Sequence, residues 1–116
     1  MDLFMTEYRG KARIFTNGSW RKLVAMLDDA PEKQDVFTSS AESIGGDIDL
    51  DPQGRITIPQ KLRAELKLED QLVQLRFHED VITFWTIADY EEMQARNAPT
   101  KGEVEDELLR RGTKLR

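Results

Sequence analysis

Between Gly46 and Asp51, Ile48 and Leu50 alternate with Asp47, Asp49 and Asp51, the period-two pattern of a strand with one buried face. Asp51-Pro52-Gln53-Gly54 follows. Asp at the first position of a turn, Pro at the second and Gly at the fourth describe a type I β-turn. Arg55-Ile56-Thr57-Ile58 then alternates again, so the spacing predicts a hairpin over 46–58. Pro59 cannot donate to a ladder but suits the first turn of a helix. Gln60 to Leu66 is rich in helix formers, with Leu62 and Leu66 four apart as its inner edge. The polar break over 67–71 separates this helix from two further predicted strands, Leu72 to Phe77 and Val81 to Thr86, around the turn His78-Glu79-Asp80. Both strands are apolar on both faces, which suits positions sandwiched between layers or across a subunit contact. Thr86, with Asp89 three residues on, resembles a capping box and predicts a helix from about Asp89 to Arg96. "NAPTKG" reads as a linker. Glu103 to Arg111 reads as a last helix, with acids first and arginines last as the helix dipole prefers.

Nearer the N-terminus, Trp20, Leu23, Val24 and Leu27 are spaced for one helix face, although Asn17-Gly18 could instead mark a tight hairpin turn. Setting Lys11–Val24 over Gln53–Leu66 pairs Arg13 with Arg55, Ile14 with Ile56, Trp20 with Leu62, Arg21 with Arg63 and Val24 with Leu66. This echo predicts two internal repeats, 5–46 and 47–90, followed by a helical tail over 91–116. The first copy lacks the glycine turn and the proline of the second, since Ala12 falls on Gly54 and Asn17 on Pro59.

Composition changes the picture only in part. The 116 residues are 39% hydrophobic and 34% charged, with no cysteine. This fits one small domain without disulfides or thiolate chemistry, whose core a partner subunit could complete. No apolar run is long enough for a bilayer. The N-terminal "MDLFMTEYRG" has neither the basic start nor the apolar stretch of a secretion signal, so the cytoplasm is the expected compartment. A net charge of −5 argues against a uniformly basic coat. Placement matters more than the sum, however, and Arg9, Lys11, Arg13, Arg21 and Lys22 cluster along the chain. Asp47, Asp49 and Asp51 could suggest a divalent metal, but strand spacing sets them about seven ångströms apart without a loop to wrap the ion; a solvated face is the simpler reading. His78 sits in an acidic turn with no second ligand or nucleophile nearby in sequence. Trp20 and Trp85 fall in apolar patterns and read as core. No phosphate loop, zinc spacing or catalytic triad is visible. A non-enzyme with no cofactor is therefore expected.

"IDLDPQGRITIPQKLRAELKL", with "VQLRFHEDVITFW" and "ADYEE" after it, resembles the AbrB-type swapped-hairpin domain, and within that superfamily the MraZ family. Asp51, Gly54, Arg55, Ile58, Pro59, Leu62, Arg63 and Trp85 fall on the family pattern. From Glu7 to Leu27 only Glu7-Tyr8, Arg13 and Arg21 match, so the first repeat is divergent and has Arg9-Gly10-Lys11-Ala12-Arg13 where a second glycine turn is usual. It also looks short of its last strand after "QDVFTSS". The resemblance implies a mainly β fold with short α-helices, an AbrB-like swapped-hairpin barrel of two repeats plus C-terminal helices. It further implies a bacterial transcriptional regulator that binds double-stranded DNA in the nucleoid and assembles as a homo-oligomer, often a ring. The arginine after the glycine turn faces DNA in that family, which points to Arg55 and, by the weaker match, Arg13. Arg63 and Arg21 match helix arginines whose role could equally be structural.

Independently of the family, an arginine alternating with Ile56 and Ile58 just after a turn projects its guanidinium outward, where the fork suits phosphate or the acceptor edge of guanine. The plainer alternative is a solvated ion pair of Arg55 with Asp51 or Asp49. Lys11, Arg13, Arg21, Lys22, Lys61, Arg63 and Lys67 could widen a positive face or simply keep the surface soluble. A single-domain antitoxin, with the tail from Glu103 capturing a toxin protein, is the alternative function. A third possibility is an assembly protein that has lost DNA binding.

Overall fold

The computed structural model describes residues 2–69 and 71–115. Strand β1 (Leu3–Tyr8) turns at Arg9-Gly10 into β2 (Lys11–Thr16), which runs directly into helix α1 (Asn17–Ala25). Helix α2 (Pro31–Ile44) returns the chain to a short strand β3 (Gly46–Ile48). After a loop come helix α3 (Gln60–Glu65), strands β4 (Val73–His78) and β5 (Val81–Thr86), and helix α4 (Ile87–Asn97). One 3-10 turn (Ala98–Thr100) stands where the sequence predicts a linker, and it leads into helix α5 (Lys101–Arg110). The strands form a single antiparallel sheet in the order β3-β1-β2-β5-β4. A sheet carrying short helices agrees with the expected AbrB-like class. Within one chain it is open, with β3 and β4 at its edges.

Alternation sorts the side chains onto two faces. Leu3, Met5, Ala12, Ile14, Ile48, Leu62 and Phe84 form the buried core on the first face, closed by α3. On the second face Phe4 and Phe15 stack with Trp20 of α1, which in turn stacks on Phe37 of α2 at 5.2 Å. Trp20 is thus half-buried within this aromatic cluster, on the packed side that its apolar pattern predicts. The Thr6 hydroxyl is fully buried and donates to Ala41 O at 2.8 Å, clasping α2 to β1. Gly45, at the end of α2, allows this approach: a Cβ there would lie 2.3 Å from Met5 O and 2.7 Å from the Thr6 side chain.

The fold has an internal twofold relation, but not the predicted one. β1, β2 and α1 begin at Leu3, Lys11 and Asn17; β4, β5 and α4 begin at Val73, Val81 and Ile87, each 70 residues on. The hairpin turns match, with Arg9 at φ 53° and Glu79 at φ 52°. The helix caps match too: Thr16 Oγ1 accepts from Ser19 N, and Thr86 Oγ1 from Asp89 N, both at 3.1 Å. β2 and β5 pair through Arg13↔Thr83, residues that are themselves 70 apart, so the local twofold passes through this pair. The offset of 42 is corrected accordingly. Lys11–Thr16 is a laddered strand, whereas 49–59 is loop. The segments predicted as repeats meet in one sheet through β2 and β5.

Other predicted elements shift for local reasons. The strand expected over 46–51 ends at Ile48, because β1 begins at Leu3 and offers no partner beyond the Leu3↔Ile48 pair. The hairpin ladder to 55–58 does not form: only the turn itself closes, through Gly54 N to Asp51 O and Asp51 N to Arg55 O, and 49–59 is otherwise loop, leaving the outer edge of β3 unpaired. Asn17-Gly18 opens α1 rather than turning a hairpin, and the real turn is Arg9-Gly10. Pro59 sits at the N-cap of α3 rather than inside its first turn. β4 is an edge strand, leaving Phe77 72% exposed, and Leu72, in the coil just before it, is 82% exposed.

Candidate nucleic-acid interface

The Asp51–Arg55 turn is a closed hydrogen-bonded unit. Gly54 N donates to Asp51 O at 2.9 Å, and Asp51 N to Arg55 O at 2.8 Å. The Asp51 carboxylate accepts from Gln53 N at 2.9 Å and from Arg55 N at 2.7 Å on Oδ1, and from Arg55 Nε at 2.9 Å on Oδ2. These bonds, led by the Arg55 backbone N–H, hold the Asp51 carboxyl below its ordinary 3.8. Gly54 adopts φ +79°, a left-handed conformation costly for other residues. The ion pair considered from sequence is therefore present. The ion pair engages Nε, and Nη2 donates to Gln53 Oε1 at 3.4 Å, while the Arg55 side chain stays 75% exposed. The outer edge of the fork remains presented to solvent by a turn that fixes its root.

Arg13 sits differently. It rises from the middle of the sheet on the second face, half-buried, donating from Nε to Tyr8 O at 3.1 Å and from Nη1 to Thr83 Oγ1 at 3.3 Å. Its guanidinium lies 5.2 Å from the Tyr8 ring centroid. Burial pushes its pKa down from the ordinary arginine value. Lys11, on the same strand face, holds Nζ 4.3 Å from the Trp85 ring centroid, with the Arg76 guanidinium 5.7 Å from that ring. By contrast, Gly54 and Ile56 of the Arg55 turn line a cleft with Ile14, Ile82 and Phe84 on the first face. Sequence matching made Arg13 and Arg55 equivalents; the fold sets them on opposite sides of the sheet.

Lys61 and Arg21 are exposed on α3 and α1. Arg63 is half-buried, with Nε shielded from solvent and 3.4 Å from Glu69 Oε1 but without a hydrogen-bonding geometry. That placement fits the structural role left open for it. Arg76 was not singled out from sequence, because it lies inside an apolar strand. The signal available was register: Arg13↔Thr83 and Arg76↔Thr83 put both arginines beside one threonine.

Among the described residues no group of three or more His, Cys, Asp or Glu comes together to hold a metal. No helix among them is long and apolar enough to cross a membrane.

A family model described as "MraZ protein, putative antitoxin-like" matches residues 46–111, more than half of the 116. The chain belongs to the MraZ family. The match runs from β3 through the end of α5, so this MraZ chain has Arg55, Lys61 and Arg63 inside the matched segment. Lys11, Arg13 and Arg21 lie outside it. No curated protein and no solved structure matches the chain.

Proposed function

We propose that the chain is a DNA-binding transcriptional regulator that grips promoter DNA through the Asp51–Arg55 turn, acting as a homo-oligomer. The observation that carries this reading is the turn itself. Six hydrogen bonds within it leave an exposed guanidinium edge at a fixed position, and preorganisation of this kind reduces the ordering cost of binding. Membership of the MraZ family supports a regulator.

Assembly is supported by the first face. Leu75, Phe77, Ile56, Leu3 and Phe84 line an apolar cleft of about 610 Å³, and Leu75 and Phe77 on its edge strand stay exposed to water, so apolar side chains there would gain from being covered by a second copy. One arginine per chain supplies few phosphate contacts, so several copies along the DNA raise the avidity.

Arg55→Ala is expected to weaken binding to DNA upstream of the chain's own gene by about tenfold or more in fluorescence anisotropy, consistent with the loss of about 1–3 kcal/mol at a bidentate contact. Stability is expected to stay within about 0.5 kcal/mol, as for exposed surface changes. Unchanged affinity would remove the turn from the interface.

A second reading is favoured by α5 and the residues after it. Val104, Leu108, Leu109 and Leu115 are 41–83% exposed, an apolar stripe of the kind that captures a partner protein. The family description includes "antitoxin-like", and co-purification of a stoichiometric toxin would favour that role.

A further inference from the structure

The local twofold makes one half of the second sheet face a control for the other. In the first half, Phe4, Thr6 and Phe15 are covered by α1 and α2. The positions 70 residues on are Gln74, Arg76 and Trp85, and the second half has a counterpart of α1 in α4 but none of α2. Where the first half buries an aromatic cluster, the second leaves a row of cations open: Lys11 and Arg76 about Trp85, and Arg13 on the twofold itself.

None of the three makes an ion pair with a carboxylate of the described residues, whereas Arg55, Arg63, Arg96, Arg110 and Arg111 each do. The carboxylate that acts on Arg13 is Glu7, whose Oε1 accepts from Gly10 N in the β1–β2 turn, and Arg9 adds a further positive charge. Arg13 uses Nε and Nη1 within the protein, so its Nη2 donors are left over from the five N–H groups of the guanidinium. Like charges gathered at a half-buried site oppose one another unless a counter-charge joins them. In a chain of net charge −5, this concentration of unpaired positive charge complements a polyanion.

We propose that Lys11, Arg13 and Arg76 form a second nucleic-acid contact, a phosphate seat on the sheet face opposite the Arg55 turn that takes the phosphodiester backbone without reading bases. Lys11 and Arg76 are already engaged with the faces of Trp85, so a base has little ring surface to stack on, and charge is what the seat offers. The duplex part of this inference rests on the DNA-binding reading above.

Lys11→Gln and Arg76→Gln, compared with wild type and Arg55→Ala, would be titrated with a duplex from upstream of the gene and with a scrambled duplex of equal length over a salt series. Each glutamine variant is expected to weaken both duplexes alike by several-fold and to reduce the slope of log K against log salt by about one. Arg55→Ala is expected to lose the preference between the duplexes. Unchanged affinity and slope in both glutamine variants would overturn the seat while leaving the turn in place. The wild-type chain would also be titrated with sodium tripolyphosphate, following the Trp85 indole and arginine Nε–H resonances by NMR. Should neither duplex bind, movement of the Trp85 and Arg13 signals would retain a phosphate site and remove the DNA-regulator reading. If those signals stayed still, both would be lost.

Discussion

Asp51 and Arg55 show how one carboxylate can organise a turn and aim a cation together. Because the folded-state pKa of Asp51 lies below its ordinary 3.8, its contribution to turn order is fully present above that value and is lost as pH falls through the folded one. The Gly54 and Arg55 amide resonances are therefore expected to hold steady at neutral pH and to move together in a transition with its midpoint below 3.8, absent in Asp51→Asn. A midpoint at or above the ordinary value would mean the carboxylate is not held as the geometry indicates. These roles were legible in the sequence, because Asp-x-x-Gly-Arg fixes turn, cap and cation within five consecutive residues. The Lys11–Trp85–Arg76 group was not legible, because its members meet only through strand register.

Among the elements, α3 is the anchor of the functional turn. Its Leu62 is fully buried in the core formed with β1, β2, β3 and β5, and it follows Arg55 by only seven residues. Leu62→Ala is expected to destabilise the chain by about 2–5 kcal/mol in urea unfolding, while Lys61→Ala, at the exposed preceding position, stays within about 0.5 kcal/mol. A small effect at Leu62 would show that α3 is not what ties the turn to the sheet. The predicted strands 72–77 and 81–86 and the helices at 60–66, 89–96 and 103–111 agree with β4, β5, α3, α4 and α5 to within a few residues. Their periodicity and caps are local. β1 and α2 were not foreseen. Leu3–Tyr8 shows no clean alternation, and α2 begins at Pro31 with no side-chain cap and only Ala41 buried, so neither gave a strong local signal. The 70-residue relation was hidden for a similar reason: strands and caps correspond, yet Phe15/Trp85, Thr16/Thr86 and Trp20/Tyr90 are among the few pairs of like side chains.

For the whole molecule, the open first face is the feature that calls for a partner. β4 leaves Leu75 38% and Phe77 72% exposed, and Leu50 of the turn segment is 50% exposed beside them. Burying side chains of this kind contributes roughly 1.5–3 kcal/mol each, so a second copy seated on the cleft would gain from contacts that a lone chain leaves in water. Replacing Leu75 and Phe77 by Asp is expected to give a folded, smaller species in sedimentation velocity, with DNA affinity reduced through lost avidity. An assembly of unchanged mass would place the subunit contact elsewhere.

The sequence by itself determined the short-range chemistry. This comprises the Asp51–Gly54 turn with Arg55 at its exit, the helix Gln60–Glu65 with its buried Leu62, and the Thr86-capped helix, because turns and caps depend on residues a few positions apart. Only the tertiary structure decided which strands became neighbours. It paired β3 with β1 instead of with 55–58, set Arg13 and Arg55 on opposite faces, and joined Lys11 to Arg76 across Trp85. Pairing between strands far apart in the chain depends on the core they bury together, and no local pattern carries that information.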